Sequence, residues 1–250
     1  MYMVAYGHQV NCNNRMIGTP REHPIIVRNA DLVGSATETY GEHGAEQILD
    51  GIIASYEMGH DYLPALTKLD DVTVVLQENN ANWPVVGSAN LTTGKLTLRL
   101  NMGSTPDEII SELPNTTTHE VAHLVHLQRN PQFFVDRREP SELHFGSAVL
   151  EGIAAHAGRS LGAFTIYSEA MFAQQKVIDA LAQLLENPEA DQHETYEAFM
   201  FGDRDVFSNR GYRVGEYVVS GMARELKLGV SELMDLPLDE FKKFAKGKLV

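Results

Sequence analysis

Cysteine is nearly missing from this 250-residue chain, where Cys12 stands alone. A single thiol makes no intrachain disulfide and builds no thiolate cage, which excludes a disulfide scaffold and a Cys-rich metal knot. Positive charge is the second shortage. With 20 Lys and Arg against 34 Asp and Glu, the net charge is -14. Nucleic-acid affinity is built from cationic side chains that neutralise phosphates, so nucleic acid is not an expected partner. The most basic stretch, Lys242 to Lys248, reads as a solvated helix end. Long apolar runs are missing as well, since none approaches the roughly 18 residues that span a bilayer. Met1 to His8 lacks the basic-then-apolar order of a signal peptide. The expectation is a soluble, cytoplasmic protein in a reducing compartment, without a membrane partner.

A 43% hydrophobic content over this length supports a substantial core. Residues 1–35 carry breakers at Gly18, Pro20 and Pro24 and read as an N-terminal arm or peripheral segment. Residues 36–250 read as a single domain. Ile48, Ile52, Ile53 and Tyr56 recur at helical spacing, predicting an amphipathic helix from Gly44 to about Met58. Val72 to Leu76 is a β-branched strand. Lys95 to Leu100 alternates polar with apolar after a Thr-Thr-Gly turn and predicts the second arm of a hairpin with Val85 to Leu91.

Helical spacing then takes over. Thr105-Pro106-Asp107-Glu108 reads as a cap, with proline at the first helical position and acids in the first turn. Pro114 is expected to end or kink that helix, and a second helix runs from about Asn115 to Arg129. Further helices are predicted over about 147–157, stopping at Gly158, over 168–186 with a core stripe through Met171, Phe172, Val177, Ile178, Leu181, Leu184 and Leu185, and over 195–201 and 211–228. Two short helices opened by Ser231 and Asp239 follow. Helix, small sheet, then a helical part is an α+β order; alternating βαβ units would look different.

His119-Glu120-Val121-Ala122-His123 is where chemistry concentrates. Two histidines four apart on a helix project from one face, so both imidazoles reach one metal ion, and the intervening glutamate stands beside it. Catalytic zinc takes three protein ligands and keeps the fourth position for water. A third histidine after a glycine turn is excluded, because His126 and Arg129 occupy the places such a pattern requires. Glu151, in Leu150-Glu151-Gly152-Ile153-Ala154, is the other option; the bland reading makes it a solvent-facing helix residue. Ala148, Gly152 and Ala155 form a small-residue stripe that permits close helix approach beside it. His126 is one turn further along the same face and reads as a supporting or surface residue. His156 reads as structural.

On these motifs the chain resembles the gluzincin metallopeptidases. More specifically, His119 to His126, Glu151-Gly152-Ile153-Ala154 and Gly211-Tyr212-Arg213-Val214-Gly215 resemble a group of predicted zinc-dependent bacterial proteases. The resemblance covers roughly residues 70–245. It implies a zincin-like fold, in which a small mixed or antiparallel sheet packs on the helix bearing the histidines and a mainly helical C-terminal part follows. It implies one Zn2+ ion held by His119, His123 and Glu151, with Glu120 as catalytic base and a peptide or protein as substrate. Two departures stand out. Thermolysin-like members have an aspartate four residues after the ligand glutamate, where this chain has Ala155, and the G-x-M-E-N segment of aminopeptidases is missing.

Zinc held by two imidazoles and a carboxylate lowers the pKa of a bound water to about 7, and a neighbouring carboxylate can take its proton. Charge developing on the substrate oxygen calls for a donor, for which Tyr212 is the candidate and Tyr217 the second choice; the bland reading is a core tyrosine at a helix start. Gly211 and Gly215 are expected to seat that helix tightly against the site, and the resemblance implies that the strand at 95–100 offers the edge along which an extended peptide pairs. The leading reading is a zinc-dependent peptidase. Its rival is a catalytically silent zinc- and peptide-binding module, which an intact Glu120 argues against. Peptide deformylase is discounted, because Cys12 lies in the wrong context to be its thiolate ligand.

Overall fold

The computed structural model describes residues 16–17, 25–28, 30–63, 73–78, 83–93, 95–135, 140–160, 175–186, 196–201 and 209–249. These residues group into two compact units, one running through Val125 and the other starting at His126.

The first unit holds β1 (Met16–Ile17), β2 (Ile25–Arg28), α1 (Ala30–Tyr62), β3 (Thr73–Glu78), β4 (Val85–Asn90), β5 (Lys95–Leu100) and most of α2 (Pro106–Arg129). The described strands form a five-stranded mixed sheet in the order β1-β2-β3-β5-β4. β2, β3 and β5 run parallel, while β1 and β4 pair antiparallel with β2 and β5. The hairpin from β4 to β5 is the one expected from the sequence. Its turn is closed by the Asn90 side-chain oxygen, which accepts from the backbone N–H groups of Thr92 and Thr93 at 3.0 Å each. Leu96, Leu98 and Leu100 are buried, as their alternation requires.

β5 is not an edge strand, contrary to the reading from sequence: it lies between β3 and β4, and β4 is the edge. Alternation reports which face of a strand is covered. It carries no information about which strand arrives on the far side, here β3 from about 20 residues upstream.

α1 is longer than its apolar pattern suggests. Gly41 (φ 74°, ψ 172°) breaks it into two helical stretches, a backbone conformation that suits a residue without Cβ. Ile48, Ile52 and Tyr56 are buried as expected.

α2 begins at the predicted cap. Thr105 N donates to Glu108 Oε2 at 2.7 Å and Glu108 N to Thr105 Oγ1 at 3.3 Å, a reciprocal capping box with Pro106 at the first helical position. Pro114, expected to end or kink the helix, sits inside one uninterrupted helix. The missing N–H and the ring clash cost about 3 kcal/mol. Burying Ile109, Leu113, Val121, Ala122, Leu124 and Val125 contributes roughly 1.5–3 kcal/mol for each large side chain, enough to hold the two halves in line.

The second unit contains the last turn of α2 and the helices α3 (Gln132–Val135), α4 (Pro140–Ser160), α5 (Gln175–Glu186), α6 (Tyr196–Phe201), α7 (Arg210–Leu226), α8 (Val230–Met234) and α9 (Leu238–Lys246). Its spine is the packing of α4 on α7. Gly152 and Gly215 meet at the crossing, where a Cβ on Gly215 would stand 2.5 Å from the carbonyl carbon of Ala148 and closer still to its oxygen. α4 extends past the predicted 147–157, and Gly158 is buried within it instead of ending it. On α5, Val177, Leu181 and Leu184 are buried as the stripe predicts, while Ile178 and Leu185 at its margin are half-buried; Met171 and Phe172 lie outside the described residues. The Asn130 amide donates to the carbonyl of Leu236 at 2.9 Å, and Arg129 pairs with Asp235, fixing the end of α2 to the C-terminal segment. A mixed sheet followed by packed helices is the α+β class read from the sequence. No helix among the described residues is long and apolar enough to cross a membrane.

Candidate metal centre

The i, i+4 spacing does on α2 what helix geometry requires. His119 and His123 lie one turn apart with their Nε2 atoms 3.2 Å from each other and their rings edge-to-face, centroids 4.8 Å apart. Two ring nitrogens that close either share a proton or aim at one cation. Two nitrogens at about 2.05 Å from a tetrahedral zinc stand about 3.3 Å apart, so the observed spacing fits a common ion. His123 is buried and His119 half-buried. Glu151, the third ligand expected from the sequence, is half-buried on α4 of the second unit. Two imidazoles and a carboxylate form a donor set suited to zinc.

Glu120 is 7% exposed, which separates it from an ordinary surface glutamate. Its neighbour on the sheet is Gly87 of β4. A Cβ there would lie 2.5 Å from Glu120 Cγ, 2.7 Å from Glu120 Oε1 and 2.8 Å from Thr116 Cγ2. The missing side chain at Gly87 makes room for the carboxylate, so the edge strand and the glutamate sit in direct contact. The sequence reading missed this role for Gly87. A glycine inside a strand pattern marks close approach of another group, and that was the available signal.

Two turns before His119 on the same face, Glu112 is held above the usual carboxylate range by burial, partly offset by hydrogen bonds from Asn115 and Thr116.

The other candidates divide. Tyr212 is half-buried in the first turn of α7. Gly215 seats α7 on α4, as the glycine spacing suggested, but Gly211 faces α6, where a Cβ would meet the Met200 Cα at 3.0 Å. His126 is fully buried against Phe133, ring centroids 4.6 Å apart, so it is no surface residue. His144 is buried and stacked on Phe199 at 5.0 Å. His156 lies near the end of α4 with its pKa pushed down to about 4, first by burial and then by the nearby Arg159 charge. No sequence pattern pointed to Glu216, a fully buried carboxylate on α7 that pairs with Arg159.

No curated protein and no solved structure matches the chain. Residues 87–243 match the family described as "Predicted Zn-dependent protease (DUF2268)", a span that starts at Gly87 within the edge strand and takes in the paired histidines, Glu151 and α7. That match covers more than half of the chain, and the protein therefore belongs to this family of predicted zinc-dependent proteases.

Proposed function

We propose that the protein is a zinc-dependent peptidase with His119, His123 and Glu151 as the metal ligands of a single ion and Glu120 as general base. The observation that carries this reading is the 3.2 Å separation of the His119 and His123 ring nitrogens, with the buried carboxylate of Glu120 next in the chain. When bound, zinc supplies Lewis acidity, lowering the pKa of a water and polarising the scissile carbonyl.

The remaining work falls to the chain. Glu120 accepts a proton from the attacking water as the water oxygen bonds to the carbonyl carbon, then delivers that proton to the amine nitrogen as the C–N bond breaks. Tyr212 is the proposed donor to the carbonyl oxygen as negative charge develops there. An extended substrate pairs with β4, the edge strand, whose Gly87 already touches Glu120; the main-chain ladder would present the scissile bond to the base.

The test is metal content per chain of wild type, Glu120→Gln and Glu151→Ala, measured beside turnover of a mixed peptide library. The expected outcome is one zinc in wild type and in Glu120→Gln, weakened binding in Glu151→Ala, and cleavage by wild type alone. Zinc retained with no cleavage by wild type would replace the peptidase with a metal- and peptide-binding module. No stoichiometric zinc in wild type would remove the site.

A further inference from the structure

The second unit contains a cavity of about 410 Å³ between the last turns of α4 and the C-terminal half of α7, walled by His156 and Arg159, by Ser220 and Arg224, and by the apolar Ala223 and Leu228. We propose that it binds a small organic oxyanion, a carboxylate or a phosphate ester carrying a short apolar body.

Three observations support this. The first is charge. In a chain of net charge -14, two guanidinium groups face one cavity. Arg159 is tied to Glu216, whose carboxylate is fully buried and demands a cationic partner, so that pair is close to neutral. The net positive charge of the cavity therefore comes from Arg224, which is exposed and able to turn toward a ligand.

The second is preorganisation. Arg159 donates to Ser220 Oγ at 2.8 Å, which leaves the Ser220 hydroxyl proton to be given to a ligand oxygen. His156, on the cavity wall, stays neutral at pH 7 because burial and Arg159 depress its pKa to about 4, so it adds no second cation there. The third is size and shape. The volume falls in the range of small-molecule sites, roughly 300–1,000 Å³, and exceeds what an inorganic ion fills, while Ala223 and Leu228 give an apolar surface for the rest of the ligand.

The site is built from α4 and α7 alone and does not depend on the metal reading. The experiment titrates the metal-loaded full chain with butyrate and, separately, with monobutyl phosphate. Heat of binding is recorded by calorimetry and the histidine ring signals by NMR. Saturable binding at millimolar concentrations is expected with at least one probe, with the His156 signal moving and its pKa rising as the bound anion offsets Arg159. The tighter probe decides between carboxylate and phosphate ester. Arg224→Gln, on an exposed side chain, should weaken binding about tenfold or more. Lys227→Gln, on the same helix end but outside the cavity, should leave it unchanged. Three results would each overturn the proposal: saturation by neither probe, equal affinity in wild type and Arg224→Gln, or binding that moves the His119 and His123 signals while His156 stays still.

Discussion

Gly215→Ala adds one methyl group where α4 and α7 cross. The new Cβ would lie 2.5 Å from the carbonyl carbon of Ala148 and 3.1 Å from the backbone N of Gly152. Ordinary carbon contacts are about 3.5–4.0 Å, so the helices must part by about 1 Å, and the obstacle is backbone that no rotamer change can move. Overpacking of this kind costs about 3 kcal/mol, at the upper end of its usual range. Alanine returns about 1 kcal/mol through its better helix propensity, leaving a net loss of about 2 kcal/mol. At roughly 2–4 °C per kcal/mol for a chain this size, the melting temperature should fall by about 4–8 °C. Gly34→Ala provides the control. A Cβ there meets nothing within 4 Å on an exposed turn of α1, so the same chemical change should stabilise by about 1 kcal/mol. Urea unfolding and thermal melts of both variants give opposite signs if the α4–α7 approach is as close as described. A Gly215→Ala protein as stable as wild type would refute the reasoning.

Gly87→Ala pushes on the side chains of Glu120 and Thr116 instead of on backbone, so it should perturb activity more than stability. Displacing the proposed base by about 1 Å should lower kcat/KM about a hundredfold while zinc content stays at the wild-type level; near-normal turnover would separate Gly87 from the working position of Glu120. The capping box of α2 predicts a pH dependence. Hydrogen bonds from the Thr105 backbone and then its side chain hold the Glu108 pKa below its ordinary 4.5, so the contribution is present above 4.5 and is lost as pH falls through the lower folded-state value. Glu108→Gln should therefore be less stable than wild type near neutral pH, with the gap in urea midpoints closing in acid. A gap that does not change with pH would show that the carboxylate charge contributes nothing.

The parts of this protein that were readable in the sequence are those set by short-range geometry. The stagger of His119 and His123 follows from 3.6 residues per turn, the buried face of β5 from alternation, and the start of α2 from Thr105 and Glu108 reaching each other across one turn. Glu151 came from a motif and from the small residues beside it. Pro114 was misread because a local penalty of about 3 kcal/mol was weighed without the burial on either side of it. Tertiary structure alone decided the rest. It put β4 instead of β5 at the sheet edge, set Gly87 against Glu120, turned Gly211 toward Met200, and buried Glu216 with Arg159 beside the oxyanion cavity. Each of these joins residues on different elements, and such a meeting leaves no periodic trace in the sequence, because it occurs only where packing brings two surfaces together.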